Sequence, residues 1–303
     1  MNIFASIFAN DILPIFLVAA VGYMLARLTG TNVKTLSAVS FNALSPCLVF
    51  DQLVQSPIGG GVFGRMAIFC ILLTIVMGIV AWLAAAPFRL NRQTLTSFLL
   101  VVMFSNSGNY ALPVVLFAFG REALAYASVY FVASALVTYT VGVGVAASGH
   151  GDVRHALKGV VRVPALYAVA AAGLILMTGT TIPLAILRPI ALLGDAAIPV
   201  MLLILGMQLE RAVVPDRPGI VTLAVGLSLF VGPIVGIGLT MLLGLTGLAR
   251  QVAIVGASMP AAVITTVLAL EFDLDPSFAT GAVFLSTILS PFTLVVLIAY
   301  LQH

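Results

Sequence analysis

Charged residues are scarce in this 303-residue sequence, and their scarcity excludes most classes of soluble protein. Asp, Glu, Lys and Arg together make up 8% of the chain, whereas 62% of the residues are hydrophobic. A soluble fold of this length cannot bury that much apolar surface, so the composition predicts an all-α polytopic membrane protein. The net charge is only +3, and the basic residues are spread along the chain, which argues against nucleic acid as a partner.

Cysteine and histidine are also rare, and neither predicts a metal site. Cys47 and Cys70 both lie in apolar segments, so we expect no disulfide between them, and His150 and His155 fall in a basic loop. The acidic segment 271–275 precedes a proline and is typical of a loop that ends in a helix N-cap. No catalytic cluster or cofactor motif remains, so we predict neither an enzyme nor a bound cofactor. An intramembrane enzyme and a ligand-binding sensor are the weaker alternatives.

Long apolar segments fill most of the chain, and ten of them predict transmembrane helices. The N-terminus lacks the basic segment of a cleavable signal, and the first apolar stretch runs on as a full span. The longest polar connection, 148–164, separates a five-helix unit at 1–147 from a second at 165–303. The predicted spans are 12–28, 36–54, 64–86, 94–119, 123–147, 165–180, 184–207, 219–243, 250–270 and 277–300.

The basic residues predict the orientation of the chain. With both termini outside, most Lys and Arg residues fall on the cytoplasmic side of a plasma or inner membrane, as the positive-inside rule requires. The external side then holds only Arg65, Arg121, Arg188 and Arg250. The cytoplasmic set is Arg27, Lys34, Arg89, Arg92, Arg154, Lys158, Arg162, Arg211 and Arg217.

Five spans per half is an odd number, so two related halves would lie upside down relative to each other. Asn42 and Pro46 in the second span match Asp195 and Pro199 in the seventh, with the polar residue four positions before the proline. Asp195 is predicted to be the most deeply placed carboxylate, either coupling transport to H⁺ or Na⁺ or capping a helix break. Asn42, Pro46, Pro199 and Thr265 are predicted to couple an ion or to support the site. Asp51, Gln52, Gln208 and Glu210 lie toward helix ends and are predicted to be interfacial.

The fourth and ninth spans each carry an interruption near the middle of the membrane. Six small or polar residues, 105–110, divide the fourth span, and Pro260 lies in the ninth. Broken helices place half-helix N-termini, with their partial positive charge, inside a transporter, where they bind anions. Kinks that serve only helix packing are the alternative. The predicted substrate site contains Asn106, Ser107, Gly108, Asn109, Tyr110, Pro113, Ser258, Met259, Pro260 and Ala261.

Four motifs resemble the auxin efflux carrier family, which includes plant PIN-type auxin exporters and bacterial permeases. They are Pro-Ile-Phe at 14–16, Ser-Pro-Cys-Leu-Val-Phe at 45–50, Asn-Ser-Gly-Asn-Tyr-Ala-Leu-Pro at 106–113 and Met-Pro-Ala-Ala at 259–262. The Asn-x-Gly-Asn-x-x-x-Pro pattern is the most specific of them. The long central hydrophilic loop of the plant members is missing here.

The resemblance implies ten helices in two inverted five-helix repeats, with broken helices 4 and 9 crossing. It implies a transport domain that moves against a scaffold, as in an elevator mechanism, and small organic anions as substrates, from dicarboxylates to aromatic acetates. Bile-acid symporters and sodium/proton antiporters share the inverted-repeat design, so a sodium-coupled symporter stays open as an alternative. A homodimer in the lipid bilayer is a further expectation.

Overall fold

The computed structural model of the chain describes residues 3–55, 58–148, 163–210 and 217–302. Most of the predicted connector 148–164 lies outside these ranges, as do His150, His155, Arg154, Lys158, Arg162 and Arg211. The described residues form twelve helices: α1 (Ile3–Thr29), α2 (Val33–Gln55), α3 (Gly60–Phe88), α4 (Arg92–Met103), α5 (Ala111–Phe119), α6 (Arg121–Ala147), α7 (Pro164–Thr178), α8 (Leu184–Glu210), α9 (Pro218–Leu242), α10 (Gly247–Ala257), α11 (Ile264–Glu271) and α12 (Pro276–Gln302).

Seven of these helices are long and apolar enough to cross a membrane: α1, α2, α3, α6, α8, α9 and α12. Each has at least 23 residues, and a helix of about 20 residues spans the roughly 30 Å of hydrocarbon in a bilayer. Large apolar side chains such as Leu28, Met177 and Phe292 point away from the protein. An apolar exterior around all-helical backbone is what a bilayer requires, so the prediction of a polytopic membrane protein is confirmed.

The first helix begins earlier than the sequence predicts. The apolar pattern predicts a start near residue 12, but α1 begins at Ile3 and continues through a π-helical turn at Phe8–Ile12. Asn10 and Asp11 lie on that turn, and the Asn10 side chain bonds to Ser6 one turn earlier. The two polar residues therefore lie within the helix rather than in front of it.

One group of helices consists of α1, α2, α7 and α8, which pack against one another. The closest approach in this group is between α1 and α8. A Cβ atom on Gly206 would lie 1.7 Å from the carbonyl oxygen of Ala19, and one on Gly22 would lie 2.1 Å from that of Leu203. Only glycine leaves room for two backbones at this distance, as in other tightly crossed membrane helices.

A second group consists of α3 to α6 and α9 to α12. Here, too, glycines allow close contact: Gly232 of α9 faces the carbonyl oxygen of Ala257, and Gly256 of α10 lies against the ring of Tyr130. These contacts hold α10 between α6 and α9. The second group therefore packs around the ends of α4 and α10, where both helices are interrupted.

Hydrogen bonds between distant residues identify the two ends of the bundle. We call one end the connector end, because Ser148, the last described residue before the connector, lies there against Arg92. At this end Gln93 donates to the carbonyl oxygen of Asp273, and Thr94 donates to the Asp275 carboxylate at 2.8 Å. At the opposite end, Arg65 donates to the Gly244 carbonyl oxygen at 2.8 Å. The Asp275 carboxylate also accepts from the Phe278 N–H, which confirms the predicted N-cap of the last helix.

Candidate functional site

The two interrupted helix pairs, α4–α5 and α10–α11, meet in the interior of the second group. The chain leaves α4 at Phe104 in extended conformation and re-enters helix at Ala111. Pro113 lies in the first turn of α5, where the missing N–H costs no helical hydrogen bond. Pro260 lies between α10 and α11, and the following residues carry the chain into α11.

The two interruptions pair with each other through their backbones. The Asn106 N–H donates to the carbonyl oxygen of Pro260 at 2.8 Å, and the Ala262 N–H donates to that of Phe104 at 2.9 Å. Ser105 and Ala261 thus form a short antiparallel bridge. This pairing satisfies backbone groups that leave the helices inside the bundle, where an unpaired N–H or C=O group is costly.

Two serine side chains fix the crossing further. The Ser105 hydroxyl donates to the carbonyl oxygen of Gly256 at 2.9 Å, and the Ala261 N–H donates to the Ser286 hydroxyl at 3.1 Å. Ser286 belongs to α12 and is fully buried. The crossing is therefore held by hydrogen bonds from both interruptions and from a third helix.

A cavity of about 270 Å³ lies beside the crossing and extends toward the connector end. Both groups of helices line it, and no Lys, Arg, His, Asp or Glu is among the described residues that do so. The first group contributes Ser37, Ser40, Phe41, Ser45, Met201, Ile204 and Gln208; the second contributes Ser105, Asn106, Ser107, Gly108, Asn109, Phe131, Ala135, Thr138, Tyr139, Ala262, Val263, Ile264 and Val267.

Several hydrogen-bonding groups at this cavity have no partner in the described part of the chain. The backbone N–H groups of Gly108, Asn109, Val263 and Ile264 precede or begin the half-helices α5 and α11, and none of them bonds to a described residue. The Asn106 Nδ2 atom is buried without a partner as well. The cavity therefore offers neutral N–H donors close to two half-helix N-termini.

Comparison with known proteins identifies the family of this chain. A family model described as membrane transport protein matches residues 7–154 and 152–298, which together cover nearly the whole sequence. The chain belongs to this family, the auxin efflux carrier family. The predicted resemblance is therefore confirmed, and with it the assignment to membrane transport.

Relatives of two kinds are similar to this chain. An uncharacterized transporter of Methanothermobacter thermautotrophicus is 28% identical over 286 residues, covering 93% of this chain and 94% of that protein. An uncharacterized transporter of Methanocaldococcus jannaschii is 25% identical over 289 residues, covering 92% and 94%. Auxin efflux carrier component 7 of Arabidopsis thaliana is 33% identical over 116 residues, which cover 37% of this chain and 19% of that protein.

Four of the residues predicted for the substrate site of this chain line the cavity. They are Asn106, Ser107, Gly108 and Asn109, all from the first interruption. The Asn109 side chain is half-buried, and a Cβ atom on Gly108 would lie 3.0 Å from the Phe131 ring. Four consecutive residues of the interruption therefore line the cavity.

The other six predicted residues lie away from the cavity lining. Tyr110 is fully buried, accepts a hydrogen bond from the Ser290 hydroxyl at 2.9 Å and meets the Phe16 ring edge-on. The Ser258 hydroxyl donates to the carbonyl oxygen of Ile254 in its own helix. Pro113, Met259, Pro260 and Ala261 are also buried outside the lining. In the second interruption the cavity is lined by the next residues along the chain, 262–264.

Asp195, predicted to be the most deeply placed carboxylate in the membrane, pairs with a residue of the second group of helices, and its role in ion coupling stays a prediction. Its side chain is 56% exposed and forms an ion pair with Arg121, the first residue of α6, at 2.9 Å. The sequence match to Asn42 predicts the position of Asp195 along α8. It does not predict that α6 brings Arg121 next to Asp195. Among the described residues, Asp51 is the buried acidic residue, with 3% of its surface exposed.

The remaining residues predicted to support the site make local contacts. Asn42 is exposed and donates to the carbonyl oxygen of Ala38 in its own helix at 2.8 Å. Thr265 is buried and donates to the Ala262 carbonyl oxygen at 2.7 Å. Pro46 is half-buried in α2 and Pro199 lies within α8. An ion-coupling role for these residues stays a prediction.

A second cavity, of about 220 Å³, lies between the same two groups toward the opposite end. The ion pair of Arg121 and Asp195 lies at this cavity, and the buried Gln52 also contacts it. The apolar lining residues are Val18, Leu48, Leu116, Phe117, Leu124, Gly194, Ile198, Pro199 and Leu202.

Sequence reasoning missed most of the cavity lining, and the polar residues among those missed include three serines of α2 and Gln208 of α8. Ser37, Ser40 and Ser45 of α2 form a polar stripe on an otherwise apolar helix, and their roughly helical spacing could have revealed them. Gln208 was predicted to be interfacial because it lies toward the end of its helix. Only the packing of α8 shows that its side chain reaches the cavity.

Proposed function

We propose that this protein is a secondary transporter that moves small organic anions across the membrane by alternating access. The anion binds where the two interrupted helix pairs cross. The observation that carries this proposal is the cavity beside the crossing, where backbone N–H groups of both interruptions and the Asn106 amide have no partner among the described residues.

An anion is the ligand that fits these groups. Each half-helix N-terminus carries a partial positive charge of about half an elementary charge, and its free N–H groups point at the ligand. The described residues that line the cavity carry no formal charge. An anion bound there gains hydrogen bonds without the protein having to bury an arginine or lysine in the membrane, which is costly.

Both cavities lie between the two groups of helices, and this arrangement supports alternating access. The larger cavity opens from the crossing toward the connector end, and the smaller one lies toward the opposite end. Sliding of one group along the other would close the first cavity and enlarge the second. We take α1, α2, α7 and α8 as the scaffold and the remaining helices as the transport unit.

The same proposal treats each interrupted pair as one membrane crossing. With α4–α5 and α10–α11 counted in this way, the chain has ten crossings in two inverted sets of five. The crossing of the interruptions then lies near the middle of the membrane. The similarity to an auxin efflux carrier of Arabidopsis thaliana supports an organic acid as the cargo. An H⁺ or Na⁺ gradient is the candidate driving force.

Uptake by purified protein in liposomes tests the proposal. Labelled monocarboxylates, dicarboxylates and indole-3-acetate are supplied with H⁺ and Na⁺ gradients imposed separately. We expect at least one acid to accumulate in wild type and its uptake to fall at least tenfold in Asn109→Ala, which removes an amide from the cavity. Asn10→Ala is the matched control, because Asn10 is exposed on α1, where its side chain donates to Ser6.

The two results that oppose the proposal differ in meaning. If folded wild-type protein moves no acid under any gradient, the transport function is wrong. If an acid is moved equally well by wild type and Asn109→Ala, the protein is a transporter but the crossing is not its binding site.

A further inference from the structure

Two π-helical turns from different groups of helices lie at the wall of the larger cavity. Of the four π-helical turns in the described residues, only Ser40–Leu44 of α2 and Thr138–Gly142 of α6 contribute to its lining. Such turns are rare, and inside α-helices they occur frequently at functional sites. The additional residue of each turn shifts the side chains that follow it by about 100° relative to an uninterrupted α-helix.

Hydroxyl side chains stabilise both turns. The Ser45 hydroxyl donates to the carbonyl oxygen of Ser40 at 2.8 Å, and the Thr140 hydroxyl donates to that of Leu136 at 2.7 Å. Bonds of this kind from serine or threonine to a preceding carbonyl group accompany bends in helices. Each turn is therefore supported by a side chain of its own helix, and so is the position of the aromatic residue that the turn carries.

The two aromatic residues of these turns meet between the groups of helices. The ring centroids of Phe41 and Tyr139 lie 6.2 Å apart, with the rings inclined at 49°. Rings at this separation attract each other beyond the effect of the area they bury. Both side chains line the cavity. Because Phe41 belongs to the first group and Tyr139 to the second, the contact joins helices that the proposed sliding would move apart.

This ring contact lies between the crossing and the connector end. α2 begins at the connector end, since Gln52 near its other end contacts the smaller cavity, and α6 ends there, since Ser148 follows it. At about 1.5 Å per residue, Phe41 and Tyr139 each lie about 12 Å from the connector end of their helix, whereas Ser105 at the crossing lies about 20 Å from the start of α4. A molecule that moves from the connector end to the crossing therefore passes the two rings.

The π-helical turn of α6 also packs directly on the first interruption. A Cβ atom on Gly142 would lie 3.0 Å from the ring of Phe104, the residue at which the chain leaves α4. The Phe104 carbonyl oxygen in turn accepts the hydrogen bond from the Ala262 N–H. Tyr139 is thus connected to the crossing through its own helical turn, and a displacement of the crossing along α2 separates its ring from that of Phe41.

We propose that Phe41 and Tyr139 form an aromatic gate between the connector end and the crossing. While the rings are in contact they narrow the passage into the cavity, and relative movement of the two groups of helices opens it. This inference goes beyond the proposed function, because it assigns a role to two residues on the access path and holds for any ligand of the crossing.

Cysteine labelling on either side of the rings tests the gate without a ligand. In a background without the two native cysteines, Ala135→Cys places a thiol on the cavity wall about one helical turn further from the connector end than Tyr139. Ser37→Cys places one about one turn nearer to that end than Phe41. A membrane-impermeant maleimide is applied from the connector end, and labelling rates are compared between this background and the gate variants Phe41→Ala and Tyr139→Ala.

We expect each gate variant to speed the labelling of Ala135→Cys roughly tenfold, because the loss of one ring contact raises the open fraction by about that factor. Labelling of Ser37→Cys should stay the same, since this position lies outside the rings. Tyr139→Phe is the matched control. It keeps the ring and removes only the hydroxyl, so Ala135→Cys should react as slowly as with Tyr139 intact.

Two results overturn the gate. One is that neither alanine variant accelerates labelling of Ala135→Cys. The other is that Ser37→Cys is accelerated as much as Ala135→Cys, which would mean that the substitutions loosen the whole bundle. Thermal unfolding in detergent verifies that each variant is folded, and leucine at the same position replaces an alanine that is not tolerated. Since the test needs neither cargo nor gradient, its failure is distinct from a failure of the uptake experiment.

Discussion

The Asn106 N–H donates a hydrogen bond to the carbonyl oxygen of Pro260 at 2.8 Å, and so joins the two interrupted helix pairs at their crossing. The reciprocal bond from Ala262 to Phe104 completes the pairing. Two hydrogen bonds between short extended segments give little stability alone. The crossing therefore depends on the side chains that bond to the same segments, and Ser286 is the most testable of them.

Ser286→Ala should destabilise the protein, because it removes the partner of the Ala261 N–H. A buried donor left unpaired costs about 1–3 kcal/mol. Ser128→Ala is the matched control: Ser128 is also fully buried, but its hydroxyl has no partner among the described residues, so its removal should leave stability unchanged or slightly raised. Thermal unfolding in detergent compares the two variants. Equal melting temperatures would show that Ser286 does not support the crossing.

Gly206→Ala should weaken the contact between α1 and α8 more severely. The new Cβ atom would lie 1.7 Å from the carbonyl oxygen of Ala19, so the two helices must separate. Overpacking of this kind costs about 1–3 kcal/mol or more. Gly238→Ala is the control, because Gly238 is exposed on α9 and a Cβ atom there would meet nothing within 4 Å outside its own helix. That substitution should be neutral or stabilise the helix by up to about 1 kcal/mol. Similar melting temperatures for both variants would contradict the close contact.

The interruptions could be predicted from sequence, whereas their orientation could not. Six polar or small residues in an apolar run and a proline in another are local features, and they identified both sites. Which residues face the cavity depends on the pairing of Ser105 with Ala261, a tertiary contact. For this reason residues 106–109 of the first interruption line the cavity, whereas the second interruption lines it with 262–264 rather than with the residues 258–261 named from the sequence. The substrate site itself stays a prediction.

Gln208 and Asp195 show the same limit for single polar residues. Their distance from helix ends suggested an interfacial glutamine and a deep aspartate. In the structure Gln208 lines the cavity, and α6 brings Arg121 next to Asp195, whose side chain is 56% exposed. Helix position along the chain predicts depth, but burial depends on which neighbour covers that face.

The ion pair of Arg121 and Asp195 should affect the balance between conformations more than stability. It joins the two groups of helices, and its side chains are 71% and 56% exposed, so it contributes about 0.2–1 kcal/mol at most. If the groups move during transport, this pair breaks in each cycle. Arg121→Asp and Asp195→Arg should each change the transport rate by up to roughly fivefold, and the double exchange should restore it. Failure of the exchange to restore the rate would rule out a direct interaction during transport.

The larger cavity should be accessible to water from the connector end only. In a background that lacks Cys47 and Cys70, Ser37→Cys places a thiol on the cavity wall. We expect a membrane-impermeant maleimide to label it from the same side as Gln93→Cys, which marks the connector end, and not from the side of Thr246→Cys, which follows Gly244 at the opposite end. A transported acid at about ten times its Kd should slow labelling of Ser37→Cys roughly tenfold and leave the two marker positions unchanged. Labelling from the opposite side, or labelling that the acid does not slow, would mean that this cavity is not the ligand site of this conformation.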